Sequence, residues 1–189
     1  MERHIMIEKY LIEHCAPTLA SLKTANLFTY HFEYEEDISE YIDMWNSNFK
    51  DKGIELILLK KEEHFALIYV CRKTRLQQDL HKAGVEEFLA DYGYESTEVD
   101  YAINRLKARL QKYNSFPHEI GIFLDYPLGD VIGFIDNAGE NCKCTGCWKV
   151  YCNECEAIRT FAKYKKCREV YTRLWSEEKR NIMQLTVAV

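Results

Sequence analysis

Between residues 38 and 50, apolar side chains return every three or four positions. Ile38, Ile42, Trp45 and Phe49 mark one buried face of a helix. Asp37 reads as its N-cap, with Glu40 as the reciprocal partner three residues on, and Gly53 ends it. The period then changes. Residues 54–59 and 65–71 are short apolar runs joined by the polar stretch 60–64, a pattern that predicts a β-hairpin. Val99, Ile103, Leu106, Leu110 and Tyr113 restore the helical period, with Thr97 as the expected cap and Asp100 at the reciprocal position. The longest helix is expected from Cys155 or Glu156 to about Trp175, burying Ala157, Phe161, Tyr164, Cys167, Tyr171 and Leu174.

Weaker patterns fill the rest. Residues 5–14 predict a short helix ending near Cys15, and Pro17 suits the start of a second one reaching Lys23, since a first-turn N–H has no partner to lose. Gly84 separates two short helices at 75–83 and 85–92. The run 119–124 reads as a strand covered on both faces, Pro127 opens a helix to Ile135, and 136–139 is a turn. Short strands are expected at 148–151 and, as an edge, at 182–189. Strands separated by helices predict an α/β fold. The expected architecture is a single layered domain over 1–189, with a small mixed sheet that includes the hairpin, flanked by helices. The hairpin interrupts the alternation that a doubly wound sheet needs, and no glycine-rich phosphate loop is present.

Composition sharpens this picture. The chain has 189 residues, enough for a substantial core, and only three prolines, with no Ser/Gly-rich linker. No apolar run reaches the length of a membrane span, and the N-terminal residues lack the basic, apolar and small-residue succession of an export signal. A cytoplasmic location is the expectation, and the eight cysteines are then expected as reduced thiols rather than disulfides. The net charge of −5 is uneven. Residues 142–189 carry 10 Lys and Arg against 5 Asp and Glu, whereas the preceding part carries 15 against 25.

Five of the cysteines crowd into residues 142–155, a cysteine-rich segment within the domain. Cys144 and Cys147 form one C-x₂-C pair, and Cys152 and Cys155 another. Thiolates at this spacing are ligands for zinc or iron. Only residues 148–151 separate the pairs. If those form a strand, the pairs stand roughly 15 Å apart at the usual rise per residue, which opposes a single four-cysteine site unless the loop tightens or two subunits share the ion. The run does not follow ferredoxin spacing. A redox-active dithiol and plain free thiols are the other readings.

A second candidate site joins Cys15 to the segment 116–119. A thiol beside a proline-started helix is placed for activation, and His118, just before the expected strand, is placed as its base, with Glu119, Asp125 or Asp130 to orient the ring. Lys23, Arg72 and Lys149 are candidates to bind a carboxylate or phosphate. A third feature is the basic stripe Arg159, Lys163, Lys166 and Arg173 on the longest helix. It fits an acidic protein partner through salt-sensitive contacts, whereas the negative total charge and the lack of a recognisable motif argue against nucleic acid.

Several long segments carry a family resemblance: residues 15–20 with Lys23 and 26–28; 70–72; 116–124 continuing through 126–127 and 130–135; and 147–151 with Ala157, Phe161 and 164–167. Across almost its whole length the chain resembles the DUF3793 family, uncharacterised bacterial proteins found mostly in anaerobes. The resemblance implies no established activity. The chain departs from the family pattern at Asp125, where a glycine is expected, at Gly129, where an acidic residue is expected, and at Trp148. Cys142, Cys144, Cys152 and Cys155 also lie outside that pattern, which implies that the dense cluster is a local elaboration. The combined expectation is a soluble small-ligand or metal-linked protein of an anaerobic bacterium. The alternatives are a thiol-dependent hydrolase or transferase using Cys15 and His118, and a non-enzymatic interaction module using the basic C-terminal helix.

Overall fold

The computed structural model describes residues 2–32, 38–112 and 116–188, so the Asp37 cap, Tyr113 and Val189 lie outside the described residues. The chain divides into two compact units, Met1–Arg75 with Cys167–Val189, and Leu76–Lys166.

In the first unit, α1 (Glu2–Leu19) leads to β1 (Ala25–His31), α2 (Ile38–Phe49), β2 (Glu55–Lys61) and β3 (Phe65–Cys71). The strands form an antiparallel sheet in the order β1-β3-β2. β2 and β3 are the expected hairpin, with a register shift between Leu58 and Lys60. β3 is central, and all but its first residue are buried, as its unbroken apolar run requires. Leu11, Ile12, Phe28, Trp45, Phe49, Ile68 and Val70 belong to one hydrophobic core with Ile182 and Leu185 from the C-terminal end.

Two local expectations are corrected here, and one strand, β1, was not expected at all. α1 does not stop at Cys15 and restart; it runs on through Pro17 to Leu19. The proline sits in the last turn, where its ring disturbs little of the helix beyond it, and the chain leaves with the N–H groups of Leu22 and Lys23 bonded to the Pro17 carbonyl. β1 lacks a strand signature, because its burial does not alternate cleanly. The expected terminal strand is a single helical turn, α9 (Ile182–Leu185). Asn181 and Gln184 close a capping box there and satisfy its first N–H groups locally.

The second unit is mainly helical. It contains most of α3 (Lys73–Leu80), then α4 (Val85–Asp91), α5 (Val99–Lys112), α6 (Ile120–Phe123) and α7 (Leu128–Asp136), a small hairpin of β4 (Cys144–Thr145) and β5 (Lys149–Val150), and the start of α8 (Glu154–Ser176). The stripe of α5 is buried as expected. Its first N–H, on Val99, is taken by Gln77 Oε1 at 3.1 Å. The expected strand at 119–124 is a helical turn instead, closed by bonds from Gly121 to the His118 carbonyl and from Leu124 to the Ile120 carbonyl. A short apolar run buried on every side reads alike for both structures. Among the described residues, no helix is long and apolar enough to cross a membrane.

Candidate functional site

α6, α7 and the β4–β5 hairpin surround a cavity of about 350 Å³ in the second unit. Ile120, Leu124 and Val131 give it an apolar floor, and Phe116, Phe134 and Trp148 give it aromatic walls. Polar groups stand at few points. His118 meets the Phe134 ring edge-on, with centroids 5.0 Å apart. Lys149 Nζ lies 5.9 Å from the centroid of the same ring and donates to the Gly139 carbonyl at 2.6 Å. An ammonium has three donors, so that bond leaves capacity for a ligand.

Close approaches shape the walls. A Cβ at Gly121 would stand 2.7 Å from Val131 Cγ2, and one at Gly133 would stand 2.5 Å from Tyr151 Cβ. Gly146 lies directly under the Phe161 ring. The Tyr126 and Trp148 rings stack 5.0 Å apart, and Trp148 meets Phe161 edge-on at 4.6 Å. The Tyr126 hydroxyl donates to the Cys147 carbonyl at 3.1 Å, tying the hairpin to the segment before α7. Burial first, and the charge of the Cys147 thiol second, push the Tyr126 pKa up to about 12.

Asp130 organises the cysteine-rich segment. It sits in the first turn of α7 and is 3% exposed. Its Oδ2 accepts from Trp148 Nε1 at 2.7 Å, and its Oδ1 accepts from the backbone N–H groups of Tyr151 and Cys152, each at 2.8 Å. The first helical turn also favours a carboxylate there. Asp130, Tyr126 and Trp148 line a second, more polar cavity of about 470 Å³ as well, together with Asp79, Lys82 and Cys152. Lys82 Nζ bridges Asp79 at 2.7 Å and Asp125 at 3.4 Å.

The residues singled out in the sequence separate by unit. Cys15, Lys23 and Arg72 belong to the first. Cys15 lies inside α1, not at a helix start, with its thiol fully buried; burial raises its pKa and Lys23 only partly opposes this. Arg72 is 2% exposed and donates to four carbonyls, those of Thr18, Leu19, Lys52 and Val187. Lys23 is also buried. His118, Glu119, Asp130 and Lys149 belong to the second unit. Glu119 pairs with Arg109 and accepts from the Tyr94 hydroxyl, in a fully buried position. Cys144 and Cys147 are partly exposed, Cys152 and Cys155 exposed, and all eight cysteines are free thiols. Among the described residues, no group of three or more His, Cys, Asp and Glu side chains is arranged to hold a metal ion. Arg159, Lys163, Lys166 and Arg173 are exposed on α8.

Sequence reasoning did not single out Phe134, Tyr126, Trp148 and Gly121, which line the apolar cavity. Their signal was present as aromatic and glycine positions at 121–134 and at Trp148, but the strand assigned to 119–124 hid the first group. Asp125, a departure from the resembled family, adopts φ 61°, a left-handed conformation in which glycine is at ease and which aspartate tolerates. At the second departure, Gly129, a Cβ would stand 2.5 Å from the Cys152 sulfur.

A family model described as Protein of unknown function (DUF3793) matches residues 11–186. No curated protein and no solved structure matches the chain.

Proposed function

Because the chain belongs to the DUF3793 family, whose members are described as proteins of unknown function, we propose a function from the site alone: the second unit binds a small, largely apolar organic anion. The observation that carries this reading is the pairing of Lys149 and His118 with one aromatic ring, Phe134, at the wall of an otherwise apolar cavity. Its volume, about 350 Å³, is at the lower end of the range for small-molecule sites, roughly 300–1,000 Å³. Apolar walls supply affinity by excluding water, and a few polar groups fix orientation. Lys149 supplies the charge, and His118 supplies a ring nitrogen that donates or accepts. Asp130 does not oppose the anion directly, because its oxygens are turned to backbone N–H groups and an indole.

The test uses 8-anilinonaphthalene-1-sulfonate, an aromatic anion, titrated into the full chain and then competed with benzoate and branched-chain carboxylates. Saturable binding at one site per chain is expected, weakened at least tenfold in Lys149→Met and in Phe134→Ala. Unchanged binding in both variants, or no saturable binding at millimolar probe, overturns the reading.

A further inference from the structure

We propose that Cys152 and Cys155 form a redox-active dithiol that reduces a disulfide substrate. Three observations carry this assignment, and none depends on the anion site. The pair straddles the start of α8. The Asn153 carbonyl accepts from Ala157 N–H at 3.1 Å and its side chain from Glu156 N–H at 3.3 Å, so Asn153 is the helix cap. Cys152 therefore precedes the cap and Cys155 lies in the first turn, where unpaired N–H groups favour negative charge. Both thiols are free and exposed.

The second observation is the cavity of about 470 Å³ that Cys152 lines with Asp130, Tyr126 and Trp148. One substituent of a disulfide substrate has room there beside Cys152, and Cys155 lies outside the lining. The third is the seat of Cys152 itself. Its N–H donates to Asp130 Oδ1, its carbonyl accepts from Lys143 Nζ at 2.6 Å, and its sulfur packs against Gly129. The other C-x₂-C pair is built differently: Cys144 is in β4, paired opposite Val150, and both of its thiols are partly covered.

The exchange balances as two displacements. The Cys155 thiolate attacks one sulfur of R–S–S–R, forming the mixed disulfide Cys155–S–S–R and expelling RS⁻, which takes a proton from water. The Cys152 thiol then gives its proton to water, and its sulfur attacks that of Cys155. The Cys155–S–R bond breaks, the Cys152–Cys155 disulfide forms, and the second RS⁻ takes a proton from water. Two electrons pass from the protein to the substrate. Burial first, then the charge and hydrogen bond of Asp130, raise the Cys152 pKa. A raised pKa leaves the reduced form without thiolate stabilisation, which favours the disulfide over the dithiol and makes the pair a reductant.

The full chain, purified under reducing conditions, is equilibrated in buffers of reduced and oxidised dithiothreitol, alkylated and mapped by mass spectrometry. The expected result is one two-electron couple on the peptide carrying residues 152 and 155. With oxidised glutathione, Cys152→Ser should trap a mixed disulfide on Cys155 that the wild-type protein resolves, and Cys155→Ser should lose most of the reaction. The proposal is overturned if no couple forms at 152–155, if Cys144–Cys147 forms the disulfide instead, or if stoichiometric zinc or iron held by these cysteines blocks their alkylation.

Discussion

The Trp148 indole N–H donates to Asp130 Oδ2 at 2.7 Å, and this bond fixes the ring that walls both cavities of the second unit. The other Asp130 oxygen holds two successive N–H groups of the chain entering α8. One buried carboxylate thus sets the position of an aromatic wall and of a thiol together.

Asp130→Ala should therefore destabilise the second unit by about 3 kcal/mol, since it leaves three donors without their acceptor in a nearly closed site. Trp148→Phe keeps most of the ring packing and loses one charge-assisted bond, so about 1–2 kcal/mol is expected. Urea denaturation followed by circular dichroism gives both values. Equal, negligible changes would mean that the segment is held without Asp130.

Glu119 and Arg109 form the unit's buried ion pair, and Glu119 Oε2 has no hydrogen-bond partner. Removing one partner leaves a buried charge uncompensated, whereas removing both does not. Glu119→Leu should cost about 3–5 kcal/mol, and Arg109→Met/Glu119→Leu together should recover at least half of that. A double variant as unstable as the sum of the single ones would show that the pair is not coupled.

Arg72 shows where one sequence expectation and the structure diverge. An arginine after an apolar strand was a candidate to hold an anion, yet its guanidinium is taken up by four backbone carbonyls from three distant stretches of chain. Arg72→Lys keeps the charge but cannot reproduce that planar fork. A loss of roughly 2–4 kcal/mol is expected, read as a lower urea midpoint for the first unit.

The hairpin, α2, α5 and α8 were legible because each carries a sustained period, and Lys149 and His118 were singled out through their chemistry. The structure places both at the same ring. β1 was illegible because it is a sheet edge whose burial does not alternate. The turn at 120–123 was misread because an apolar run buried on all sides has no period to report. The role of Arg72 could not be read at all: its partners are backbone carbonyls at residues 18, 19, 52 and 187, and a carbonyl leaves no mark on residue type.

Gly129 and Cys152 should behave as one position. A Cβ at 129 meets the Cys152 sulfur at 2.5 Å, so Gly129→Ala must turn that exposed thiol away or strain the contact. Both residues are exposed, so the expected loss is at most about 1 kcal/mol, the low end for overpacked sites. Gly129→Ala combined with Cys152→Gly removes the collision and should regain most of it. Thermal denaturation of the four proteins in reducing buffer checks the cycle; strict additivity would show that the contact carries no strain.

Tyr126 gives the fold a dependence on alkaline pH. Its pKa lies at about 12, against an ordinary value of 10.0, because burial disfavours the phenolate and the Cys147 thiol adds a negative charge nearby. The native state thus holds this proton more tightly than the unfolded chain does. The resulting stability is fully present below about pH 10 and is lost as pH rises through about 12, a change of roughly 2–3 kcal/mol for this group. Tyr126→Phe has no proton to lose, so its stability should fall less steeply across that window. Urea midpoints of both proteins at pH 8, 10 and 11 make the comparison, with phenolate absorbance near 295 nm as an independent reading of the titration. Parallel decline in the two proteins would mean that Tyr126 ionises as it does in the unfolded chain, and that its hydroxyl is not shut between the hairpin and the segment before α7.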